Sequence, residues 1–271
     1  MHYEEIPPSE PLKKHVKCYW ALKIEGADQT CGPETVLPDG CLEIVFNLAD
    51  PFRRIHPEGQ VELQPSAIAI GQMRRFVTIE PTGRVDLFGV RFHPAGAYHF
   101  FKCPLSQLTE SIVDLDSVLG RDHSYFEARI QAARSSAERV AVVERVLLGS
   151  TAKAQPHETV VEIVKDHIAR HDGVVSIHAT ARQFGVSQRQ LERHFLDLVG
   201  VSPKFYSRIV RLQSLLSTVR SGRQTDLLAA ALQFGFYDQP HLAREFAWFA
   251  GQSPSAFFRK ENRMSDAFSG V

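Results

Sequence analysis

Arginine, glutamine and histidine recur at matched places late in the chain. Gln188, Arg189, Gln190, Arg193 and His194 surround Leu191 and Phe195, while Gln239, His241 and Arg244 surround Leu242 and Phe246. An arginine fork matches two acceptors on a guanine edge, and glutamine both gives and takes a hydrogen bond at adenine, so such a set could read bases in a DNA groove. The bland alternative is a solvated helix face. For His194 and His241 a base or phosphate contact and plain surface weigh equally, and Arg193 and Arg244 could instead pair with a carboxylate or a phosphate.

An aromatic, an anion and a cation in the first half, Trp20, Glu43 and Arg91, form a candidate ligand set. Their alternative is strand packing with a surface ion pair. Four cysteines, Cys18, Cys41, Cys103 and Cys31, leave gaps of 13, 10 and 62 residues in chain order, which is neither a paired CxxC nor a zinc spacing. They read as free, mostly buried thiols. His56, His93 and His99 are scattered, with no HxH followed by Glu, and no nucleophile elbow, phosphate loop or dinucleotide fingerprint occurs. No catalytic residue, metal ligand or cofactor is therefore assigned.

The elements that must position the polar set are written twice in the sequence. Ala181, Phe184, Gly185, Val186, Leu191, Arg193, Phe195, Gly200, Ser202, Pro203 and Tyr206 are answered by Ala231, Phe234, Gly235, Phe236, Leu242, Arg244, Phe246, Gly251, Ser253, Pro254 and Phe257. The offset is 50 before the turn and 51 after it, so one residue has been added between Gly235 and Leu242. Two helices around a tight turn explain the pattern: a small alanine permits close approach, and a glycine four residues later takes a positive φ. Ser187 and Asp238 then cap the second helix of each copy, which makes Asp238 a cap and not a base reader.

Between the copies, apolar residues Phe205, Ile209, Leu212, Leu216 and Val219 predict one helix over 203–221. A stiff connector between duplicated helix-turn-helix units suits second helices that enter successive major grooves, about 34 Å apart. Another amphipathic helix, 157–170, precedes the first copy.

On these residues, about 158–260, the second half resembles the DNA-binding domain of the AraC/XylS-type transcription regulators. The run Gly235-Phe236-Tyr237-Asp238-Gln239, followed by His241, Arg244, Phe246, Gly251, Ser253-Pro254 and Phe257, carries most of the likeness. Departures are Phe257 for a usual tyrosine, Pro240 for a small polar residue and Ala230 for an isoleucine. Pro240 falls in a first helical turn, where its missing N–H costs little. The resemblance implies a sequence-specific DNA-binding transcription regulator, with double-stranded DNA as partner and RNA polymerase as a second candidate.

Short apolar runs broken by turns, among them Cys41–Phe46, Ala67–Gly71, Phe76–Ile79 and Val85–Phe92, predict a β-rich sandwich or small barrel. Tyr19-Trp20, Leu37-Pro38-Asp39-Gly40-Cys41-Leu42-Glu43 and Gly89-Val90-Arg91-Phe92-His93-Pro94 resemble an uncharacterised domain found ahead of AraC-type modules. That resemblance implies a cupin-like barrel sensing a small-molecule effector or mediating assembly. The whole is an α+β two-domain protein: β-rich 1–120, helical linker 121–156, all-α tandem helix-turn-helix 157–271. One helix, 124–148, covers its own sheet or, less favoured, pairs with a second copy, and 149–156 marks the boundary.

Composition and charge agree with this division. The 271 residues carry a formal charge of +0, but it divides as −5, +2 and +3 over the three segments, which permits an anionic partner for the last. The longest run without Asp, Glu, Lys or Arg is 13 residues, too short to span a bilayer, so no membrane partner is expected. Glu4, Glu5 and Glu10 stand where a secretory signal would have its basic start, so the chain is expected to stay in the cytoplasm. A competing reading makes it a DNA-targeted enzyme of the repair or small-molecule-modifying kind. The cysteine spacing argues against that.

Overall fold

The computed structural model describes residues 1–25, 32–101, 103–119, 124–150, 158–223 and 226–259. Ten strands come first: β1 (His2–Ile6), β2 (Val16–Ile24), β3 (Glu34–Val36), β4 (Glu43–Asn47), β5 (Phe52–Ile55), β6 (Val61–Leu63), β7 (Ala67–Ile70), β8 (Val77–Pro81), β9 (Val85–Phe92) and β10 (Ile112–Asp114). They form two antiparallel sheets, ordered β1-β2-β9-β4-β7-β10 and β3-β8-β5-β6. Of the two expected architectures, barrel or sandwich, the arrangement is a sandwich.

Strand alternation sends β2 side chains to both faces of the larger sheet, and both faces are buried. Cys18, Trp20, Leu22 and Ile24 face the smaller sheet, with Val45, Phe52, Ile68 and Leu87. Val16 and Tyr19 face the other way, onto Phe126, Ile130, Val143 and Leu147. Those four belong to helices α2 (Ser124–Ala132) and α3 (Ser136–Ser150), which follow the short α1 (Leu115–Leu119). The expected single helix over 124–148 is thus two, separated at 133–135 and turned against each other. Their apolar stripe is spent on their own sheet. Helix α3 also continues through Gly149 and Ser150, so the boundary segment begins later than expected, and its remainder lies outside the described residues.

The helical domain contains α4 (Glu158–Arg170), α5 (Ile177–Gln183), α6 (Gln188–Leu198), α7 (Pro203–Arg220), α8 (Leu227–Gln233), α9 (Gln239–Ala250) and α10 (Pro254–Arg259). The duplication in sequence is a duplication in hydrogen bonding. Val186 N donates to Ala181 O and Phe236 N to Ala231 O, both at 3.0 Å, closing the same C-terminal turn on α5 and α8. Gly185 (φ 70°) and Gly235 (φ 72°) supply the left-handed backbone these turns need. One core gathers Val161, Val164, Ile168, Leu191 and Phe195 from α4 and α6. Others gather Ile209, Leu212, Phe246 and Phe249, and Leu215, Ala231, Phe236 and Leu242.

Each of the first two helical cores includes side chains from the sandwich. Ala95 and Tyr98 join the α4–α6 core, and Leu37 and Phe76 join that of α7 and α9. The two domains are therefore packed on each other. Polar ties reinforce the contact: Gln213 Nε2 donates to Pro38 O at 2.7 Å, and Thr109 Oγ1 donates to Gly200 O at 2.5 Å. No described helix is long and apolar enough to cross a membrane.

Candidate nucleic-acid interface and inter-sheet cavity

Capping fixes where each polar helix starts. Ser187 accepts from Gln190 N, and the Gln190 side chain accepts from Ser187 N at 3.1 Å, a complete capping box on α6. In the second copy Asp238 Oδ1 accepts from His241 N at 2.7 Å. Both capping roles read from the sequence hold. The added residue of copy two is placed by comparing the turns: Gly185-Val186-Ser187 becomes Gly235-Phe236-Tyr237-Asp238. Tyr237 is the extra residue by position; its ring, 85% exposed, stacks on His241 at 5.4 Å.

From these caps the reading sets project unequally. Gln188, Arg189, Gln190, Arg193, Gln239 and Arg244 are exposed, and His194 and His241 are half-buried. Arg189, Arg193 and Arg244 take no partner among the described residues, so neither Arg193 nor Arg244 is engaged by a carboxylate there. By contrast Gln190 is spent on its cap, His241 Nδ1 accepts from Tyr237 N at 3.2 Å, and Gln188 donates to Glu192 at 2.8 Å. Between the motifs lies a groove lined by Lys204, Arg211, Tyr237 and His241. Arg208 beside it is paired through both nitrogens with Glu245, at 2.9 and 3.0 Å, which ties α7 to α9.

Residues 180–260 match the family described as a helix-turn-helix domain, the span that holds both copies and their connector. The C-terminal domain is a helix-turn-helix domain of the AraC type. It is the DNA-binding module of a transcription regulator. Residues 4–114 match a family described as a domain of unknown function. Solved structures similar to the chain include ToxT from Vibrio cholerae in a 1.65 Å crystal form (10% identity, 89% of this chain and 97% of that one, TM-score 0.48). Another is wild-type ToxT of Vibrio cholerae strain SCE256 with a bound unsaturated fatty acid (11% identity, 88% and 94%, TM-score 0.43). No curated protein sequence matches the chain.

Trp20, Glu43 and Arg91 all line one cavity of about 120 Å³ between the two sheets. Strand register brings them together: Trp20 on β2 lies opposite Gly89 on β9, and Glu43 on β4 lies opposite Arg91 on β9. The glycine is required there, because a Cβ at residue 89 would come within 2.1 Å of the indole. Arg91 is buried, donates from Nε to Glu43 Oε1, and has Asp39 Oδ2 at 3.7 Å. This is a buried ion pair, not the surface one that the sequence left open. Burial pushes the Glu43 carboxyl above its ordinary range against the pull of Arg91, while the two carboxylates hold the guanidinium firmly charged.

Sequence reasoning missed Asp39, Cys41 and Gln72 as walls of this cavity. Asp39 and Cys41 stand in the connection between β3 and β4. No pattern marks Gln72, which stands in a short connection after β7. Of the thiols, Cys18 is pushed up to about 11 and Cys41 and Cys103 are also raised, in each case chiefly by burial, so they are poor nucleophiles. Cys31 lies outside the described residues.

Proposed function

We propose that the chain is a sequence-specific transcription regulator that reads DNA with Arg189, Arg193 and Arg244, supported by Gln188, Gln190, His194, Gln239 and His241. Its N-terminal domain senses a small molecule in the inter-sheet cavity. The observation that carries the DNA reading is the pair of capped helices whose arginines are exposed and have no described protein partner. An arginine left unpaired on a fixed helix has no protein partner to release before it meets a phosphate or a guanine edge, whereas a paired one must first be freed.

Coupling between ligand and DNA has a physical route in this reading. Leu37, Pro38, Gly40 and Gln72 line the cavity. The same segment touches α7: a Cβ on Gly40 would sit 3.1 Å from the Tyr206 ring, and Pro38 O accepts from Gln213. A ligand that shifts this wall changes the seat of the helix joining both motifs. Allosteric couplings of this kind are worth ~1–3 kcal/mol.

A mobility-shift assay on the region upstream of its own gene tests the reading. Binding should weaken steeply with salt, because released counterions supply much of the affinity. Salt-insensitive binding, or none to any duplex in a selection from random sequence, would overturn it.

A further inference from the structure

The cavity's polar end is chemically unbalanced. Gln72 is 1% exposed; its Nε2 is spent on Gly40 O at 2.5 Å, and its Oε1 accepts from nothing among the described residues. Arg91 spends Nε on Glu43, and no described residue takes its two terminal nitrogens. Both side chains line the cavity and reach one short stretch, Gln72 to Gly40 O and Arg91 to Asp39 Oδ2 at 3.7 Å. Buried polar atoms are nearly always partnered, and each exception calls for a reason.

We propose that this cavity takes a neutral, single-ring ligand carrying an amide or an equivalent edge in which a hydrogen-bond donor sits beside an acceptor. Size limits the ring: an apolar cavity of ~150 Å³ holds one benzene, so one of about 120 Å³ admits a ring no larger, such as a five-membered lactam. Val45, Phe52, Ile68 and Leu87 give the ring apolar walls. The head group follows from complementarity. A carboxylate would serve Arg91 and repel Gln72 Oε1, and an ammonium would do the reverse; an amide serves both.

Charge excludes the carboxylate a second time. Arg91 already has Glu43 and Asp39 within 4 Å, so an anionic ligand would be the third negative group on one cation. Lys17, the other cation near this cluster, is exposed to water and screened.

The proposal rests on the sensing role given to this domain, and three probes with the same number of heavy atoms separate the two. 2-Pyrrolidinone, cyclopropanecarboxylate and cyclopentanone are titrated into the full chain at neutral pH, with the methyl groups of Ile68, Ile70, Ile79 and Ile112 observed by NMR. 2-Pyrrolidinone should move these methyls and bind at least ten-fold more tightly than either analogue. Replacing Gln72→Met should reduce 2-pyrrolidinone to the level of cyclopentanone, with a thermal melt reporting that the variant folds. Cyclopropanecarboxylate equal to 2-pyrrolidinone would overturn the charge argument, and cyclopentanone equal to 2-pyrrolidinone the role of Gln72; either leaves sensing intact. If no probe moves the methyls the ligand class is wrong. Sensing itself falls only if a cavity-filling Ile70→Phe variant also leaves DNA binding unaltered.

Discussion

Arg189 and Arg244 differ from their neighbours in having no hydrogen bond to a described residue to give up on binding. Gln190 and His241 already serve the caps and turns that orient them, so the arginines carry more of the expected DNA affinity. Replacing each with alanine should cost ~1–3 kcal/mol if it reads a base, or lower the salt slope by about one if it holds a phosphate. Mobility shifts at several salt concentrations distinguish these outcomes. Asp238→Ala acts differently, because it removes the acceptor for His241 N. Stability should fall by ~1 kcal/mol in a thermal melt, and DNA binding should weaken only as the start of α9 frays. The arginines were legible in the sequence because a repeat fixes their register. Gln72 was not, since its importance comes from an unmatched oxygen that only the folded wall creates.

Among the elements, the turn from α9 to α10 presses on the sandwich. Gly251 has φ 69°, and a Cβ there would lie 2.4 Å from the Phe76 ring. Arg75 stacks over Trp248 at 3.9 Å beside it. Gly251→Ala should therefore lower the melting temperature by several degrees and raise proteolysis between the domains, since it strains the turn and pushes Phe76 out together. The helices were readable because their caps and apolar spacing are local. Strands β4, β7, β8 and β9 were also readable, from apolar runs between turns. β1, with the sequence HYEEI, was not, because an edge strand with two glutamates lacks that pattern and is defined by pairing with β2. The split of α2 from α3 escaped for the opposite reason: the helical spacing of Phe126, Ile130, Ala133, Ala137, Val140 and Leu147 runs through a break that only their docking reveals.

For the whole molecule, buried histidines near the domain contact set an acid limit. His15 is packed against His99, ring centroids 4.3 Å apart, and its pKa is lowered to about 4 from an ordinary 6.5, first by burial and then by His99. His93 is lowered as well, mainly by burial. The unfolded chain takes up these protons near 6.5 and the folded chain refuses them, so stability is full above that pH and declines as pH falls toward 4. Melting temperatures across this window should show the decline, and His15→Leu should blunt it.

The stretch from Leu37 to Gly40 belongs at once to the cavity wall and to the seat of α7. Thermodynamic linkage then runs in both directions: whatever factor an occupant of the sandwich imposes on operator affinity, the operator must impose on the occupant. A short duplex is in that sense an effector of the N-terminal domain, and isothermal titration of a cavity ligand with and without it should return the same ratio as the mobility shift.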